Sequence, residues 1–385
     1  MRAAHLVLGT ALLLVGGEGA RLAAADREVA PGIQLDQLPS PILFEGDATT
    51  AYRDPAAVYH DGAFHLFFTL VETEADGQVF LYTAKSRSAD LAHWTEPRKL
   101  TPRDRRLNFS SPGNVIRFAG EWVLCLQTYP RPGGEKYGND TARIWILRSP
   151  DLETWGEPEL LRVKGPGVPV EKMGRMIDPF LLEDKDEPGK WWCFYKQRGV
   201  SMSWSHDLRT WTWAGRADAG ENPCVLVDQG EYVLFHSPEN GVGVKRSRDL
   251  KRWKDEGRIT LGQKDWSWAR GRLTAGFVLD LRSEPRVGRY LMFFHGSGPE
   301  DERTMFDHHA SLGLAWSLDL RTWHWPGQGS QVGLNPRRRP PSSSRPRRCR
   351  APSSRRRCGR SRRRTARRAA PPCRRSSPPA GAAGA

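Results

Sequence analysis

The stretch Ser88-Ala89-Asp90-Leu91-Ala92-His93-Trp94 decides the fold, because its pattern Ser-x-Asp-Leu-x-x-Trp returns four more times along the chain. The Asp residues of successive copies are 61, 56, 42 and 70 positions apart. Spacing of this size suits a four-stranded blade whose connecting loops vary in length. The sequence therefore predicts an all-β fold, a five-bladed β-propeller built from four-stranded antiparallel blades. The later copies begin at Ser149, Ser205, Ser247 and Ser317.

Short β-rich runs precede each copy and support this prediction. Before the first copy, residues 56–59, 64–68 and 79–84 are such runs, and turn-forming residues separate them. We expect the Asp of the motif to accept hydrogen bonds from backbone amides in the turn between the third and fourth strands. Leu and Trp are expected to pack between blades. The motif is therefore predicted to be structural, with no chemistry of its own.

The formal charge of +15 is confined to the C-terminal end of the chain. Residues 337–375 hold 18 Arg and neither Lys nor an acidic residue. Without these 18, the 59 basic residues fall to 41 against 44 acidic ones, a net charge of −3. The propeller is thus near neutral, and no nucleic-acid partner is predicted for it.

The chain divides into four predicted segments. Residues 1–25 are typical of a cleaved signal peptide, which predicts a secreted or periplasmic protein, and residues 26–40 form an N-terminal extension that packs on the propeller or helps to close it. Residues 41–326 hold the five blades. Residues 336–385 lack core-forming side chains and are predicted to be disordered. Our hypothesis is that this tail is a frameshift artefact, and the rival is a genuine basic arm.

Cysteine usage predicts neither a disulfide framework nor a zinc site. Cys125, Cys193 and Cys224 lie in the propeller segment and three more Cys lie in the tail. An odd number in the domain and the absence of a Cys-x-x-Cys pair argue against both kinds of site. We expect buried free thiols.

The starts of the first strands should point into one shared funnel, because the first strand of every blade lines the axis of a propeller. Blade one starts with Arg53-Asp54-Pro55, blade three with Ile177-Asp178-Pro179 and blade four with Glu221-Asn222-Pro223. Three of the five starts therefore carry a carboxylate at or next to the same structural position. Asp-Pro alone is also a common turn, but the matched placement in repeats favours a site.

Converging carboxylates suit hydrolysis of a glycosidic bond. Like charges raise one another's pKa, so one group can stay protonated near neutral pH. Hydrolysis requires an acid that protonates the leaving oxygen and a base that activates water.

At this point the sequence resembles glycoside hydrolase family 43, whose members are five-bladed propellers. The Arg-Asp-Pro start of blade one, the Asp before the blade-three strand and the Glu-x-Pro start of blade four carry the resemblance. It implies that Asp54 is the general base, Glu221 the general acid, and Asp178 the residue that orients the acid and tunes its pKa. It also implies an inverting mechanism. The related retaining family 32 fructosidases rank second, because their Trp-x-Asn-Asp-Pro and Glu-Cys motifs are missing here.

Further residues are candidates for substrate binding beside the carboxylates. Arg270 or Arg272, before the first strand of blade five, can reach a sugar hydroxyl or the acid, or else be a solvated surface residue. Trp266 and Trp268 can stack on a sugar ring or pack between blades. The remaining candidates are Arg53, which can instead pair with a carboxylate, Asn114 in blade two, and His308 of the His308-His309 pair.

The sequence thus predicts an exported glycosidase acting on plant or algal polysaccharide fragments of the arabinoside or xyloside type. The alternatives are a family 32-like fructosidase, a carbohydrate-binding propeller without catalysis, and a basic-tailed interaction protein. No cofactor is expected to be required, although the resemblance leaves room for a structural calcium ion on the propeller axis. The sequence predicts no membrane span in the mature chain and does not predict the number of subunits.

Overall fold

The computed structural model describes residues 32–328, so the predicted signal peptide and the Arg-rich tail lie outside the described residues. The described part is all-β, with three short 3-10 helices at Leu35–Gln37, Val170–Lys172 and Ser267–Ala269. No helix in it is both long and apolar enough to cross a membrane. Its strands in chain order are β1 Ile42–Phe44, β2 Thr50–His60, β3 Ala63–Thr73, β4 Val79–Ser88, β5 Arg98–Lys99, β6 Phe109–Phe118, β7 Glu121–Thr128, β8 Ile144–Ser149, β9 Glu159–Leu160, β10 Ile177–Glu183, β11 Trp191–Lys196, β12 Val200–Ser205, β13 Thr212–Ala217, β14 Glu221–Asp228, β15 Glu231–Ser237, β16 Val242–Ser247, β17 Lys254–Ile259, β18 Arg272–Leu281, β19 Arg289–Ser297, β20 Ala310–Ser317 and β21 Trp323–His324.

These strands form five antiparallel blades, which confirms the predicted fold. Blades one to four are the sheets β2-β3-β4-β5, β6-β7-β8-β9, β10-β11-β12-β13 and β14-β15-β16-β17. Blade five is β18-β19-β20 with β1 as its fourth strand, and β21 also pairs with β20. A strand from the start of the described chain thus completes the last blade. The residues that close the ring are therefore Ile42–Phe44, which lie inside the predicted propeller segment. Leu35 and Leu38 of the N-terminal extension are buried in the core of the propeller.

The repeated motif forms the same turn in all five blades. In the first copy, Oδ1 of Asp90 accepts hydrogen bonds from the backbone N–H groups of Ala92 and His93 at 2.9 and 2.8 Å. The indole of Trp94 donates to the carbonyl oxygen of Leu91 at 3.1 Å. Leu91 is buried and has a φ of 67°, a conformation that favours glycine. The Asp bonds and the buried Leu confirm the predicted structural role. The equivalent Leu residues are Leu152, Leu208, Leu250 and Leu320, with φ between 55° and 65°.

Large apolar side chains fill the space between the blades. The main core includes Phe64, Phe67, Phe194, Phe235 and Phe293, all fully buried. The three cysteines of the propeller segment are buried free thiols, as predicted. This packing holds the first strands at fixed positions around the axis.

Candidate active site

Every blade carries the same β-bulge where its first strand begins. The pairing register of the first and second strands shifts between Arg53 and Ala56 in blade one, and at the matching place in the other four blades. A bulge of this kind bends the strand and redirects one side chain. In each blade the bulged residue has a left-handed φ, between 40° and 52°. These five residues are Asp54, Ser111, Asp178, Asn222 and Ala275.

The bulges define which positions are equivalent. Asp54 and Asp178 occupy the same position, and the matching residue of blade four is Asn222. Glu221 lies one residue earlier, on the pocket wall. The sequence predicted a carboxylate at or next to the same position in three blades. The structure places Asp54 and Asp178 at that position and Glu221 next to it.

A ring of hydrogen bonds holds the bulged residues. The backbone N–H of a bulged residue donates to a side chain on the second strand of the preceding blade. Ser111 donates to Thr69 at 2.7 Å, and Ala275 donates to Ser237 at 2.9 Å. Asp54 donates to Nδ1 of His295 at 3.0 Å, which joins blade one to blade five. Asp178 donates to the side-chain oxygen of Gln127.

Blade three interrupts the ring. Its side chain at this position is Lys196, opposite Ile177, and an ammonium group cannot accept a hydrogen bond. The N–H of Asn222 donates instead to Oδ2 of Asp178 at 3.2 Å. The side-chain amide of Asn222 donates to Oδ1 of Asp54 at 3.2 Å. Asn222 therefore bridges two of the predicted catalytic carboxylates.

The three predicted carboxylates line one cavity of about 800 Å³, a size typical of small-ligand sites. The relative exposure of Asp178 is 6%. The side chains of Asp54 and Glu221 are 16% and 41% exposed. The hydroxyl of Thr69 donates to Oδ2 of Asp54 at 3.1 Å. Asp54 is thus held by donors on both oxygens, whereas Glu221 is the most accessible of the three.

Burial changes the acidity of the Asp178 carboxyl group. Burial raises the pKa of Asp178 to about 7, and the nearby carboxylates of Glu221 and Asp54 add to the rise. A proton on Asp178 near neutral pH relieves the repulsion among the three groups. Arg272 lies beside Glu221, with Nη2 3.5 Å from Oε2.

A buried carboxylate that the sequence did not reveal, Glu302, organises the blade-five side of the cavity. Glu302 pairs with Arg53 and Arg272, and Nε2 of His295 lies 3.3 Å from Oε1 of Glu302. Burial acts to raise the pKa of Glu302, but Arg53, His295 and Arg272 outweigh it and hold that pKa well below its usual range. Burial, followed by the charge of Arg53, lowers the pKa of His295. His295 is therefore neutral, with Nδ1 accepting from Asp54 and Nε2–H donating to Glu302.

Two loops build an aromatic wall over blade one. Phe306 stacks with Tyr129 at a centroid distance of 6.3 Å and meets Tyr137 edge-on at 4.9 Å. Arg131 forms a bidentate pair with Asp307 at 2.7 and 2.8 Å. Because these residues come from blades two and five, the loops meet above the blade that separates them. All three rings line the cavity, and Tyr137 is the most exposed of them, while the guanidinium of Arg53 lies over the ring of Phe306 at 4.5 Å.

The structure separates the other candidate residues into two groups. Arg53 and Arg272 line the cavity, and Arg53 pairs with a carboxylate. Four candidates do not line it. Asn114 is buried between blades two and three, where it bonds the backbone of Leu181. Trp268 stacks on Trp266 at 5.2 Å in an aromatic cluster, while Arg270 is exposed outside the cavity and His308 contacts His309.

A small cavity of about 30 Å³ lies on the axis, lined in part by Asp54, Asp178 and Asn222. Its two carboxylates are the ones that Asn222 already engages. In residues 32–328, no group of three His, Cys, Asp or Glu side chains is arranged to hold a metal ion. The described residues therefore do not fit a carboxylate-rich calcium site.

Comparison with known proteins supports the fold. No protein-family model matches the chain, and no curated protein matches its sequence. Among solved structures, a family 117 glycoside hydrolase of the marine bacterium Zobellia galactanivorans is similar, with 15% identity, a TM-score of 0.52, and coverage of 76% of this chain and 94% of that one. A family 43 glycoside hydrolase of Bacillus licheniformis has 14% identity, a TM-score of 0.51 and coverage of 74% and 56%.

A family 32 β-fructofuranosidase of Bombyx mori has 13% identity, a TM-score of 0.51, and coverage of 77% of this chain and 66% of that one. The sequence identities and TM-scores are nearly equal for the members of these three families. They confirm the resemblance at the level of the five-bladed propeller shared by these hydrolases, and they do not separate one family from another.

Proposed function

We propose that this protein is a glycoside hydrolase that works by acid/base catalysis. The observation that carries the proposal is the bridge of Asn222 between Asp54 and Asp178, with Glu221 as the preceding residue in the same cavity. In this arrangement Asp54 is a fixed carboxylate and Glu221 is a more exposed carboxyl group. The third group, Asp178, titrates near neutral pH. The glycosidases that share the fold support the same chemistry.

Each carboxyl group has a role in the proposed reaction. Glu221, the most accessible, protonates the oxygen of the leaving group as the glycosidic bond breaks. Asp54, held by Thr69 and Asn222, takes a proton from the attacking water, as an inverting mechanism requires. Burial and the neighbouring carboxylates raise the pKa of Asp178 to about 7, so its partial protonation at neutral pH limits the negative charge beside the acid. Arg272 positions Glu221 from the side of blade five.

The substrate class that we propose is a plant or algal polysaccharide fragment of the arabinoside or xyloside type. The family 43 resemblance of the sequence supports this class. A retaining family 32-like fructosidase is the second candidate, because the fold comparison supports it equally. Proton NMR of the first sugar released distinguishes the two, since net inversion of the anomeric configuration supports our proposal and net retention contradicts it.

The catalytic assignment is tested with Asp54→Asn and Glu221→Gln on 4-nitrophenyl arabinofuranosides and xylosides. Loss of the base should lower kcat by about 10²- to 10⁴-fold, and loss of the acid should lower it less, because 4-nitrophenolate is a good leaving group. Glu157→Gln is the matched control, because Glu157 is exposed and lies outside the cavity. Activity that is equal in all three variants would contradict the catalytic assignment, whereas sugar binding without hydrolysis by the intact protein would favour a carbohydrate-binding propeller without catalysis.

We also propose that the protein is exported through its signal peptide and that the basic tail takes no part in catalysis. The second statement is supported by the position of the proposed catalytic residues, which all line a cavity formed by residues 32–328. Deletion of residues 336–385 should leave kcat/KM unchanged. A loss of activity on deletion would assign the tail a function.

A further inference from the structure

Two cations of blade three line the cavity without a carboxylate partner. The cavity is also lined by Arg303 and by Arg53 and Arg272, and Glu302 pairs with the last two. Arg175 and Lys196 line the same cavity, and neither forms an ion pair with any residue in the range 32–328. Arg175 precedes the first strand of the blade, and Lys196 ends its second strand opposite Ile177. These two cations lie at one edge of the cavity, and the charge of Arg175 also acts on the carboxyl group of Asp178, where it opposes the rise of the pKa.

Arg175 is held in a way that leaves its outer nitrogens available. Its Nε donates to the carbonyl oxygen of Gly138 at 3.2 Å, and its guanidinium lies over the ring of Tyr129 at 5.4 Å. Gln197 donates to the carbonyl oxygen of Arg175 at 3.0 Å and fixes its backbone. Within the described part of the chain, Nη1 and Nη2 of Arg175 make no hydrogen bond. A guanidinium fixed in this way offers a planar fork that matches a carboxylate.

Lys196 occupies a position that the other blades fill with hydrogen-bond acceptors. Thr69, Gln127, Ser237 and His295 each accept the N–H of a bulged residue, and Lys196 cannot. Its ammonium has no hydrogen-bond partner among residues 32–328. Lys196 is half-buried and lines the cavity, so its ammonium is available to a negatively charged ligand there. Blade three therefore differs from the other blades in that it presents a cation to the cavity at this position.

We propose that Arg175 and Lys196 form a subsite for an acidic sugar, in which they bind an anionic oxygen group such as the carboxylate of a uronic acid or a sulfate ester. This inference rests on the proposed function for its location in a glycosidase cavity. It narrows the substrate from a neutral pentoside to a glycoside fragment that carries a negative charge. Arg175 supplies a two-point contact and Lys196 a single charge.

The binding test uses the whole protein and free sugars, so it does not depend on turnover. Calorimetric titration compares D-glucuronate, D-galacturonate and D-glucose 6-sulfate with D-glucose and D-galactose. The intact protein should bind at least one acidic sugar about tenfold more tightly than its neutral counterpart. Preference for the uronates or for the sulfate identifies the anionic group. Raising the NaCl concentration should reduce the preference, because salt screens the charges.

Three variants test the residues. Arg175→Gln and Lys196→Gln should each reduce the preference for the acidic sugar about tenfold while leaving the affinity for the neutral sugar nearly unchanged. Lys196→Thr should do the same and preserve the fold, because it restores the hydroxyl that blade one carries at this position. Arg216→Gln, an exposed cation of β13 outside the cavity, is the matched control.

Equal affinity of the intact protein for acidic and neutral sugars would overturn the inference, as would an acidic preference that survives in all three variants. Hydrolysis of 4-nitrophenyl glycosides is measured in parallel. Acidic-sugar binding without hydrolysis of any glycoside would leave the subsite standing and remove the proposed function. Hydrolysis of neutral glycosides alone, with no acidic preference, would remove the subsite and leave the proposed function standing.

Discussion

The side-chain amide of Asn222 donates a hydrogen bond to Oδ1 of Asp54 at 3.2 Å, across 168 positions of sequence. The same residue gives its backbone N–H to Asp178 at 3.2 Å. It therefore connects the bulges of blades one, three and four. Because Glu221 is the next residue back along β14, this contact also places the proposed acid relative to the proposed base.

Removal of the Asn222 side chain should impair turnover more than binding. Asn222→Gly keeps the backbone N–H and tolerates the φ of 48°, so it deletes only the bond to Asp54. We expect kcat to fall about tenfold to hundredfold with a smaller change in KM, since Asp54 loses one of the donors that orient it. The measurement is steady-state kinetics beside thermal unfolding. An unchanged kcat at an unchanged Tm would show that the bridge does not position the base.

The raised pKa of Asp178 predicts how stability depends on pH. Between the usual pKa of an Asp and about 7, the folded protein binds more protons at this site than the unfolded chain does. The contribution of Asp178 to stability therefore falls as the pH rises from about 4 to about 7. Asp178→Asn removes the ionisable group. The Tm of the variant minus the Tm of the intact protein should therefore increase between pH 5 and pH 8. A Tm difference that is constant over this range would contradict the assignment.

The repeated turn should contribute to stability in each blade. In Asp151→Ala, the amides of Glu153 and Thr154 lose the carboxylate that accepts their hydrogen bonds at 2.8 and 2.7 Å. We expect the free energy of unfolding to fall by about 1 to 2 kcal/mol in urea titrations. Glu157→Ala, just beyond the turn and exposed, should change it by less than about 0.5 kcal/mol. Equal effects of the two changes would argue against the structural role of the motif.

Closure of the ring by β1 predicts that the start of the propeller segment is essential. Phe44 packs against Phe68, Tyr52 and Trp94 with centroid distances of 5.2 to 5.7 Å. Phe44→Ala should therefore lower the free energy of unfolding by about 3 kcal/mol. Deletion of residues 1–31 should leave Tm nearly unchanged, whereas deletion of residues 1–45 should lower it strongly. Similar Tm values for the two deletions would contradict closure by this strand.

The sequence was informative where a repeat or a local motif carries the structure. Five copies of one turn predicted the blades, and the Asp-Pro starts of blades one and three predicted two side chains that the structure brings into one cavity. The third start, Glu221-Asn222-Pro223, contained a further signal. The residue before Pro aligns with Asp54 and Asp178, so Asn222 could have been recognised as the equivalent position.

Other parts of the site depend on contacts that no local pattern encodes. Glu302 meets Arg53 across 249 positions, in a loop that differs from blade to blade. The role of Lys196 appears only when the second strands of all five blades are compared in space. Trp268 illustrates the converse, because its ring packs into an aromatic cluster and the sequence does not show which face of the blade it takes.

The most direct test of the central claim, that Glu221 is the acid and Asp54 the base, compares leaving groups. Protonation matters more for a poor leaving group than for a good one. Glu221→Gln should therefore retain much of its kcat/KM on 2,4-dinitrophenyl glycosides and lose about 10²- to 10⁴-fold on alkyl glycosides of the same sugar. Asp54→Asn should lose activity on both to a similar extent. Equal losses of Glu221→Gln on the two substrates, or a dependence on leaving group in Asp54→Asn instead, would contradict the assignment.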